Sequence, residues 1–417
     1  MKFVYNFVVF LTAIALPLLA VFSKKIKFFV VGRRETFSKI AVLKNQKIIW
    51  FHVASLGEFE QARPIIEELK QQYKKHKILI TFFSPSGYEV RKDYELADVV
   101  CYLPLDTRKN AKRFIKEVNP ELAIFIKYEF WPNFLDVLKK KKIKTILVSG
   151  ILRKDQLFFQ SYGAFMKRSL AAFDHFFVQD SNSKVLLNSI AYNNVTVAGD
   201  TRFDRVSAIL KQDNSLDFIQ EFKDNTHTAV AGSTWKEDEA LLIHYINNKA
   251  TEDEKFIIAP HNIKSDATLE LRARIDKKTV LYSEFKQAQF VGDLKSYQVF
   301  IIDTIGLLTK IYAAADVAYV GGGLKTGLHN VLEPATFGIP VVIGNTFDKF
   351  KEAVDLVKSG GCIAIKNQEE FIDSFTKLKD DEQFRTLTGV INKRYIEAHL
   401  GATKLVMKYI TVTLSSL

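Results

Sequence analysis

A carboxylate placed at the start of a predicted helix is the first candidate for chemistry. The stretch FHVASLGEFEQARPIIEELK, residues 51–70, sets a small polar loop between an apolar run and a helical pattern. Ser55 and Glu58 fit an S-x-x-E capping box, which would satisfy free N–H groups at the helix start. Glu58 also follows a predicted strand, where an ionised carboxylate within hydrogen-bond reach of a hydroxyl can act as a general base. The residues alone leave both roles open.

A glycine-rich loop later in the chain is a candidate nucleotide site. Residues 321–345, GGGLKTGLHNVLEPATFGIPVVIGN, open after an apolar strand pattern and lead into a predicted helix. Glycines let the backbone approach a ligand, and the free N–H groups of a helix start suit an anion. Glu333, about one turn after Asn330, could accept hydrogen bonds from ribose hydroxyls. A structural glycine turn capped by Asn330 is the alternative, and the GxGxxG pattern is absent from this loop.

A second strand-to-helix loop, AGSTWKEDE at residues 231–239, offers donors for a phosphate. Gly232, Ser233 and Thr234 supply N–H and hydroxyl groups, and Lys236 adds a positive charge. The alternative is that Ser233 or Thr234 caps the helix, while the acidic residues behind it favour the helix dipole. Both roles are compatible with these residues.

These loops must be positioned by alternating strands and helices. Short apolar runs rich in β-branched and aromatic residues, typical of strands buried on both faces, recur along the chain. The first series comprises residues 48–54, 78–83, 99–103, 122–126, 145–149, 175–179 and 195–199. The second comprises residues 228–232, 256–260, 279–283, 299–303, 317–322, 339–344 and 362–366. Amphipathic helical patterns between the runs predict parallel sheets with crossover helices.

This order predicts an α/β fold of two doubly wound, Rossmann-like lobes that face a cleft. The 417 residues suffice for two sizeable cores. The predicted limits are residues 1–23 for a membrane anchor helix, 24–205 for the first lobe, 206–226 for a linker and 227–417 for the second lobe. The last helix is free to pack back on the first lobe. Ligands of such sheets bind at the carboxyl ends of the strands, so we expect the site in the cleft.

Charge and cysteine content narrow the function classes. The net charge of +12 favours anionic partners such as nucleotides, nucleic acid or an acidic membrane face. No recognisable nucleic-acid-binding module accompanies the charge, so nucleic acid is not expected as a partner. The 2 cysteines, Cys101 and Cys362, lie far apart in or beside apolar runs, which argues against a disulfide framework and fits a reducing compartment. No acidic pair or His cluster in the sequence demands a metal.

The N-terminus indicates a membrane. Residues 3–23, FVYNFVVFLTAIALPLLAVFS, carry no charge over a length that matches the ~20 residues of a bilayer-spanning helix. Basic residues follow at once, and positive charge behind a first apolar segment holds that side in the cytoplasm. Only Lys2 precedes the run and no clear A-x-A site follows, which favours an uncleaved anchor over a signal peptide. Whether the anchor spans the bilayer or lies partly embedded is open.

Together these segments resemble the bacterial 3-deoxy-D-manno-octulosonic acid (Kdo) transferase family, membrane-associated enzymes of the two-lobed GT-B glycosyltransferase class. HVASLGEFEQARPII at 52–66 resembles the family's His-x-x-Ser-x-Gly-Glu loop, and KYEFWPNFL at 127–135 resembles its Glu-x-Trp-Pro-Asn segment. VAGDTRFDR at 197–205 is similar to Gly-Asn-x-Lys-Phe-Asp, and AGSTWKEDE to the start of the second lobe. DVAYVGGG with GLHNVLEPATFGIPVVIG resembles the nucleotide signature. The likeness extends from the anchor to about residue 360.

The resemblance implies transfer of Kdo from CMP-Kdo to a hydroxyl of a phosphorylated, acylated lipid A precursor at the inner membrane, with inversion and with the lobes on the cytoplasmic face. It implies Glu58 as the general base and places Ser55, Gly57 and Glu129 at the acceptor or sugar site. A buried polar anchor beside Trp131 is the alternative for Glu129. The donor-binding residues implied are Gly232, Ser233, Thr234, His261, Gly327, Asn330, Glu333 and Arg202. Because the leaving group carries one phosphate, we expect neither a metal nor another cofactor.

Several positions depart from the family pattern. APHNIK at 259–264 puts His261 where relatives carry a phosphate-contacting arginine, and histidine is only partly charged at neutral pH. Arg202 replaces the usual lysine of its segment and could supply the missing charge. SGILRKD at 149–155 leaves Arg153, shifted in position, as the possible equivalent of another arginine, and Leu328 replaces a glycine. The cation at the donor phosphate therefore stays open.

Two other functions are compatible with the sequence. A GT-B nucleotide-sugar transferase or epimerase that uses a UDP-sugar would share the second-lobe loop but would not require the anchor. A membrane-tethered nucleotide-binding protein without catalysis would tolerate Glu58→Gln, whereas an enzyme would lose turnover and keep donor binding.

Overall fold

The computed structural model describes residues 1–416, except for the side chain of Lys25. Leu417, the last residue of the predicted second lobe, lies outside the described residues. The chain forms two compact units. The first unit combines residues 1–205 with the residues from His399 onwards, and the second unit contains Val206–Ala398.

The first unit is built on one parallel sheet of 7 strands in the order β3-β2-β1-β4-β5-β6-β7. Its strands are β1 (Ile48–Val53), β2 (Lys77–Phe82), β3 (Val99–Tyr102), β4 (Leu122–Ile126), β5 (Lys144–Gly150), β6 (His175–Val178) and β7 (Val195–Val197). All seven predicted runs of the first series are strands.

Helices cover the first sheet and precede it. They are α1 (Lys2–Leu19), α2 (Lys24–Arg34), α3 (Thr36–Ile40), α4 (Leu56–Gln72), α5 (Pro85–Arg91), α6 (Arg108–Val118), α7 (Pro132–Lys140), α8 (Ala164–Leu170), α9 (Ser181–Ser189) and α10 (Thr201–Ile209). Short 3-10 turns occur at Ala41–Leu43 and Leu157–Phe159.

The burial of both sheet faces explains the continuous apolar strands. In β1, Ile48 and Trp50 enter one core cluster, whereas Ile49, Phe51 and Val53 enter the cluster on the opposite face. Successive side chains of a strand point to opposite faces, so a strand covered on both sides must be apolar throughout.

The second unit repeats this architecture with a parallel sheet of 7 strands in the order β10-β11-β9-β8-β12-β13-β14. Its strands are β8 (His227–Thr234), β9 (Glu254–Pro260), β10 (Thr279–Leu281), β11 (Val299–Ile301), β12 (Val317–Val320), β13 (Val341–Gly344) and β14 (Cys362–Ile365). The remaining helices of the chain are α11 (Asp217–Lys223), α12 (Lys236–Asn248), α13 (Ser265–Ala273), α14 (Tyr282–Phe285), α15 (Leu308–Ile311), α16 (Leu332–Thr336), α17 (Lys351–Ser359), α18 (Gln368–Asp380), α19 (Glu382–Ala398) and α20 (Ala402–Ser415). Further 3-10 turns lie at Leu294–Ser296 and Tyr312–Ala314.

The structure of two segments is relevant to the predicted domain limits. These limits remain a prediction. Residues 206–226 contain the end of α10 and all of α11, whose Ile219 and Phe222 are buried. The last helix, α20, belongs to the first unit. Its Val406, Met407 and Ile410 enter the core cluster that also holds the buried side chains of α4.

In both sheets the strand order reverses beside the strand that comes first in the chain, and in the second sheet it also changes direction where β11 lies between β10 and β9. In the first unit β1 lies between β2 and β4, and in the second unit β8 lies between β9 and β12. Loops that leave the carboxyl ends of two neighbouring strands in opposite directions open a crevice at that point, and ligands of doubly wound sheets bind there. The pairs β1/β4 and β8/β12 are therefore the places to look for function. The two-sheet α/β fold predicted from the sequence is confirmed.

Candidate active site

Glu58 sits in the first turn of α4, directly after β1, and is 5% exposed. The backbone N–H of Ser55 donates to its Oε2 at 3.1 Å, and the Ser55 hydroxyl contacts the same oxygen. The two residues form the capping box that their spacing predicts. The helix start thus holds Oε2 of Glu58, and this restricts the positions that Oε1 of the same carboxylate can take.

The second carboxylate oxygen of Glu58 faces a cation. Lys127 Nζ lies 3.6 Å from Glu58 Oε1. Lys127 follows β4 in the left-handed region, with φ 68°, and its N–H donates to Val148 O at 2.8 Å. A lysine in this backbone region is uncommon. The loop after β4 is therefore held in a special conformation that brings the Lys127 ammonium group to Glu58, across the point where the strand order reverses.

Glu129, two residues further on, belongs to a buried polar cluster with His52 and Trp131. It is 8% exposed, and Trp131 Nε1 donates to its Oε2 at 3.0 Å. The same N–H lies 2.8 Å from His52 Nε2, which is itself 3.3 Å from Glu129 Oε2. A buried carboxylate needs such partners. The polar-anchor role considered for Glu129 beside Trp131 is thus present in the geometry, and a role at the sugar site stays a prediction.

Hydrogen bonds fix the tautomer of His52, a fully buried ring at the end of β1. Its Nδ1 lies 3.1 Å from Thr81 O, a carbonyl that can only accept, so Nδ1 carries the proton. Nε2 then accepts from Trp131. Hydrogen bonds consequently link β2 to His52, and the Trp131 N–H, shared between His52 Nε2 and Glu129 Oε2, extends the link to Glu129.

Gly57 and Arg202, the other candidates of the first unit, differ in their surroundings. A Cβ at Gly57 would meet only Ser55 Oγ at 3.9 Å, so packing gives no reason for a glycine there. Arg202 Nη2 lies 2.8 Å from Asp200 Oδ2, and its Nε donates to the same oxygen at 2.9 Å. The Arg202 guanidinium is thus paired with a carboxylate, and Arg202 belongs to the first unit, whereas the other candidate donor-binding residues belong to the second.

In the second unit, the end of β8 is irregular where the phosphate loop was predicted. The pairing of β8 with β9 shifts between Gly232 and Thr234, and Ser233 between them has φ 55°. A bulge of this kind re-aims side chains at the end of a strand. A Cβ at Gly232 would lie 2.0 Å from the hydroxyl oxygen of Tyr312, so this position has no room for a side chain.

Asp238 joins the two glycine-containing loops of the second unit. It is 1% exposed and accepts from Trp235 N at 2.9 Å, Gly322 N at 2.9 Å and Tyr319 Oη at 2.7 Å. Burial raises the pKa of Asp238, and these three bonds oppose that shift. Since Trp235 follows β8 and Gly322 follows β12, this one carboxylate fixes the two loops relative to each other.

Aromatic rings line the same edge. Trp235 stacks on His261 with ring centroids 4.3 Å apart, and Trp235 Nε1 donates to His329 Nε2 at 3.1 Å. Burial and, second, repulsion from His261 lower the pKa of His329 to about 4. The bond from Trp235 also requires an unprotonated Nε2. His329 is therefore a neutral acceptor at neutral pH.

The glycine-rich loop after β12 holds Gly327, Asn330 and Glu333. Gly327 has φ 115°, a backbone conformation that favours glycine. Asn330 Oδ1 accepts from Leu332 N at 3.1 Å, but the N-cap of α16 is Val331 and no side chain caps it, so the capping role considered for Asn330 is not found. Glu333 accepts from Asn330 Nδ2 at 3.1 Å and from Thr309 Oγ1 at 2.9 Å. The helix that begins here, α16, has 5 residues.

The structure gathers most of the candidates where β1 neighbours β4 and where β8 neighbours β12, whereas Arg202 lies in α10, after the edge strand β7. Ser55, Gly57 and Glu58 follow β1, and Glu129 follows β4. Gly232, Ser233 and Thr234 end β8, and the loop with Asn330 and Glu333 follows β12. His261 comes directly after β9 and stacks on Trp235. The roles of these residues stay predictions.

Sequence reasoning missed four residues of these clusters, namely His52, Lys127, Trp235 and Asp238, as members of a site. All four lie inside the family-like segments 52–66, 127–135 and 231–239, so membership of those segments was the available signal. Nothing in the spacing of Lys127 and Glu58 indicates their contact. Among residues 1–416, no three His, Cys, Asp or Glu side chains are grouped as metal ligands would be.

Comparisons of the sequence with known proteins show the family. A family model described as 3-deoxy-D-manno-octulosonic-acid transferase matches residues 31–205. The chain is 30% identical over 362 residues to the 3-deoxy-D-manno-octulosonic acid transferase of Aquifex aeolicus (strain VF5), covering 83% of this chain and 92% of the relative. The enzyme of the same name from Chlamydophila psittaci is 25% identical over 363 residues, with 85% and 82% covered.

A solved structure supports the fold. The UDP-GlcNAc 2-epimerase of Neisseria meningitidis, bound to UDP-GlcNAc, is similar with a TM-score of 0.59 and 15% sequence identity, covering 89% of this chain and 100% of the epimerase. At this identity the likeness shows the two-sheet fold of GT-B proteins and nothing about the substrate.

Proposed function

Because the chain belongs to the 3-deoxy-D-manno-octulosonic acid transferase family and is a glycosyltransferase of lipopolysaccharide biosynthesis, we propose that it moves Kdo from CMP-Kdo to a lipid acceptor. The acceptor is a hydroxyl of a phosphorylated, acylated lipid A precursor, and the anomeric carbon inverts. The reaction forms a bond between the acceptor oxygen and the Kdo anomeric carbon. It breaks the bond from that carbon to the CMP phosphate, and CMP leaves.

The observation that carries this proposal is the environment of Glu58. Its carboxylate follows β1 at the point where the strand order reverses, is 5% exposed, and is held at both oxygens by Ser55 and Lys127. A general base must be fixed within reach of the hydroxyl that it deprotonates. In the proposed reaction Glu58 takes the acceptor hydroxyl proton as the bond to CMP breaks. The capping box serves this role because it immobilises the carboxylate.

Charge on the departing CMP is stabilised by groups of the second unit. We assign the phosphate to the N–H and hydroxyl groups of Gly232, Ser233 and Thr234, which end β8 beside the bulge. Asn330 and Glu333 hold the ribose, with Gly327 and His261 nearby. Arg202 is a further candidate cation, although it is paired with Asp200. Fixed donors in a partly buried site suffice for a monophosphate, so we propose that no metal ion takes part.

The proposed acceptor indicates where in the cell the enzyme works. A lipid A precursor is a membrane lipid, and the apolar helix α1 with the basic residues behind it fits attachment to the inner membrane. We place both units on the cytoplasmic face. The proposed partners are thus CMP-Kdo, the phosphorylated lipid acceptor and the inner membrane, with no nucleic acid.

The deciding experiment incubates the purified chain with CMP-Kdo and a phosphorylated lipid A precursor and weighs the product by mass spectrometry. We expect an adduct of one or more Kdo residues, unchanged when EDTA is added, and inhibition by CMP but not by UDP. Glu58→Gln should form the adduct ~10²–10⁴-fold more slowly at the same protein concentration. If the folded wild-type chain yields no adduct, the proposal is wrong. Inhibition by UDP alone would favour a UDP-sugar enzyme, and a loss of product in EDTA would contradict the metal-free mechanism.

A further inference from the structure

Helix α1 lies along the first unit over its whole length. Its partly buried residues recur every three or four positions, as one face of a helix does. They are Lys2, Tyr5, Asn6, Val9, Ala13, Leu16 and, just beyond its end, Ala20. All other residues of α1 are exposed. A helix that projected away from the unit would not show such a stripe from end to end.

Polar bonds fasten the N-terminal end of this helix. Tyr5 Oη donates to Asp106 Oδ2 at 2.6 Å, and Asp106 is 3% exposed. Asn133 Nδ2 donates to Asn6 Oδ1 at 3.0 Å. Lys2 Nζ lies 3.3 Å from Asp136 Oδ2. These partners come from the loop before α6 and from the first turns of α7, so the very start of the chain is bound to the folded unit.

The other end of the helix lies beside apolar groups of the same unit. Ala13 and Leu16 are half-buried, and Leu16 lines a cavity of about 290 Å³ together with Phe29 of α2, Phe37 of α3 and Leu105. Both ends of α1 therefore lie against the same unit, the first through hydrogen bonds and the second beside this apolar cavity.

A bilayer-spanning α1 is incompatible with these contacts. The 18 residues of the helix extend about 27 Å, close to the ~30 Å hydrocarbon core. If the helix spanned, Lys2, Tyr5 and Asn6 would reach the far surface, while Asp106, Asn133 and Asp136 stayed with the folded unit. Asp106 would then lose the Tyr5 hydroxyl and keep the N–H groups of Asn133 and Phe134 as its donors.

The outward face of the hairpin made by α1 and α2 is strongly apolar. Its large exposed side chains include Phe3 at 80%, Phe7 at 52%, Phe10 at 57%, Leu18 at 66% and Phe22 at 88% exposure, and they continue on α2. An exposed apolar face of this extent marks a membrane or protein contact.

Basic residues lie at both ends of this face. Lys24 and Lys27 border the α1–α2 turn. Lys139 and Arg168 line a cavity of about 330 Å³ together with Lys2 at the N-terminal end. An apolar helix face flanked by lysine and arginine suits the surface of an anionic lipid layer, into which such helices sink about 5–10 Å.

From these contacts we propose that α1 and α2 form a monotopic anchor, which lies in the plane of one lipid leaflet and does not cross the bilayer. The N-terminus then stays on the same side of the membrane as the folded units. The occupant of the exposed face is a single anionic leaflet, which contacts the outward phenylalanines and leucines while the basic residues meet the headgroups. This proposal concerns topology and stands apart from the proposed reaction.

Depth measurements distinguish the two orientations. The variants Phe3→Cys, Phe10→Cys and Leu18→Cys each place one cysteine on the outward face, and a fluorophore is attached to it. The labelled proteins are bound to vesicles of phosphatidylethanolamine and phosphatidylglycerol that contain quenchers at known depths. Wild type provides the unlabelled background, because Cys101 and Cys362 are buried. A helix in the plane gives three equal, shallow depths. A spanning helix puts position 10 deeper than the other two by about 10 Å or more, given a half-core of ~15 Å, and that result overturns the proposal.

The side of the N-terminus is tested independently in cells. A protease-cleavable tag ahead of Met1 of the full chain is exposed to protease in intact spheroplasts and in inverted membrane vesicles. We expect cleavage of the N-terminal tag only in the inverted vesicles. The same tag placed at the C-terminus of the full chain is the control, and it should be cleaved in the same preparations. Cleavage of the N-terminal tag in intact spheroplasts would show that the helix spans. Neither measurement depends on Kdo transfer, so failure here leaves the proposed function untouched.

Discussion

Lys127 Nζ lies 3.6 Å from Glu58 Oε1, although the two residues follow different strands, β4 and β1. The contact crosses the crevice at which the strand order of the first unit reverses. Glu58 Oε2 is occupied by the N–H and hydroxyl of Ser55, so Lys127 determines the direction of the remaining oxygen. The pair turns a helix-capping carboxylate into one with a single defined orientation.

Replacement of Lys127 should therefore slow transfer without unfolding the chain. In Lys127→Met, Oε1 of the buried Glu58 carboxylate loses its partner. We expect turnover to fall by about tenfold, the effect of a ~1.4 kcal/mol loss of transition-state stabilisation. Lys127→Arg keeps a cation and should retain more of the activity. The measurement is steady-state transfer of Kdo with the urea midpoint as the folding control, since an ion pair of this exposure contributes ~0–1 kcal/mol to stability. Equal activity of wild type and Lys127→Met would refute the positioning role.

Glu58→Gln should separate capping from catalysis. A glutamine at this position of the capping box can still accept from the Ser55 N–H, so the free energy of unfolding should change by less than about 1 kcal/mol. The amide cannot take a proton, so turnover should fall by ~10²–10⁴. CMP binding, measured by calorimetry, should stay within about twofold, since it does not use the base.

A second capping carboxylate provides the control for that substitution. Glu370, in the first turn of α18, accepts from Lys366 N at 2.8 Å. Glu370→Gln makes the same chemical change at a helix start in the second unit and should leave turnover unchanged. If both variants lose turnover equally, the loss comes from the helix starts and not from a base.

Trp131 and Glu129 should be energetically coupled. Trp131→Phe removes the N–H that lies 3.0 Å from Glu129 Oε2 and 2.8 Å from His52 Nε2. The buried carboxylate then lacks a donor, which costs ~1–3 kcal/mol. In a double-mutant cycle with Glu129→Leu, which removes the acceptor, we expect a coupling energy of that size in urea unfolding. Effects that add within ~0.5 kcal/mol would show that the two side chains act independently.

Structural features that depend on residues close together in the sequence could be predicted, whereas contacts between distant residues could not. All fourteen strands follow from local apolar runs, because a strand buried on both faces must be apolar throughout. The S-x-x-E box at Ser55 and Glu58 is equally local, since three positions contain the whole motif. Strand order and the placement of motif loops follow from the resemblance to a family and not from periodicity.

The missed contacts are long-range. Lys127 meets Glu58 because β4 lies beside β1, and Asp238 meets Gly322 because β12 lies beside β8. Such pairs have no fixed spacing in the sequence. The pairing of Arg202 with Asp200 is the opposite case, because the two residues lie only two positions apart in the same segment. The 5-residue length of α16 was also missed, because apolar runs do not report where a short helix ends.

Ser233→Gly should have opposite effects on stability and on donor binding. Ser233 has φ 55°, a region that costs a residue with a side chain roughly 1 kcal/mol and glycine little. Glycine should therefore raise the urea midpoint slightly or leave it unchanged. If the Ser233 hydroxyl binds the donor phosphate, affinity for CMP should fall by about 3–10-fold, the effect of one ~1 kcal/mol hydrogen bond.

Asn119→Gly is the matched control, because Asn119 has φ 41° at the end of α6 and is exposed. It should give the same small change in stability with no change in CMP affinity. If Ser233→Gly binds CMP as wild type does, the bulge is structural and the predicted phosphate contact is wrong.

Acid should destabilise the second unit through His329. Its pKa is lowered to about 4 by burial and, second, by repulsion from His261, whereas a histidine in an unfolded chain titrates near ~6.5. Between these values the unfolded state binds more protons than the folded state, so stability is complete above about pH 6.5 and decreases as the pH falls towards 4.

His329→Gln keeps a neutral acceptor for Trp235 Nε1 and removes the titration. Urea midpoints measured from pH 7 to pH 4 should fall more steeply for wild type, by a difference of about 1–2 kcal/mol once solvent screening of a partly exposed ring is allowed for. Parallel curves for the two proteins would contradict the prediction, because His329 would then accept a proton as easily in the folded state as in the unfolded state. The hydrogen bond that Trp235 Nε1 donates to His329 Nε2 at 3.1 Å disfavours protonation of the folded state.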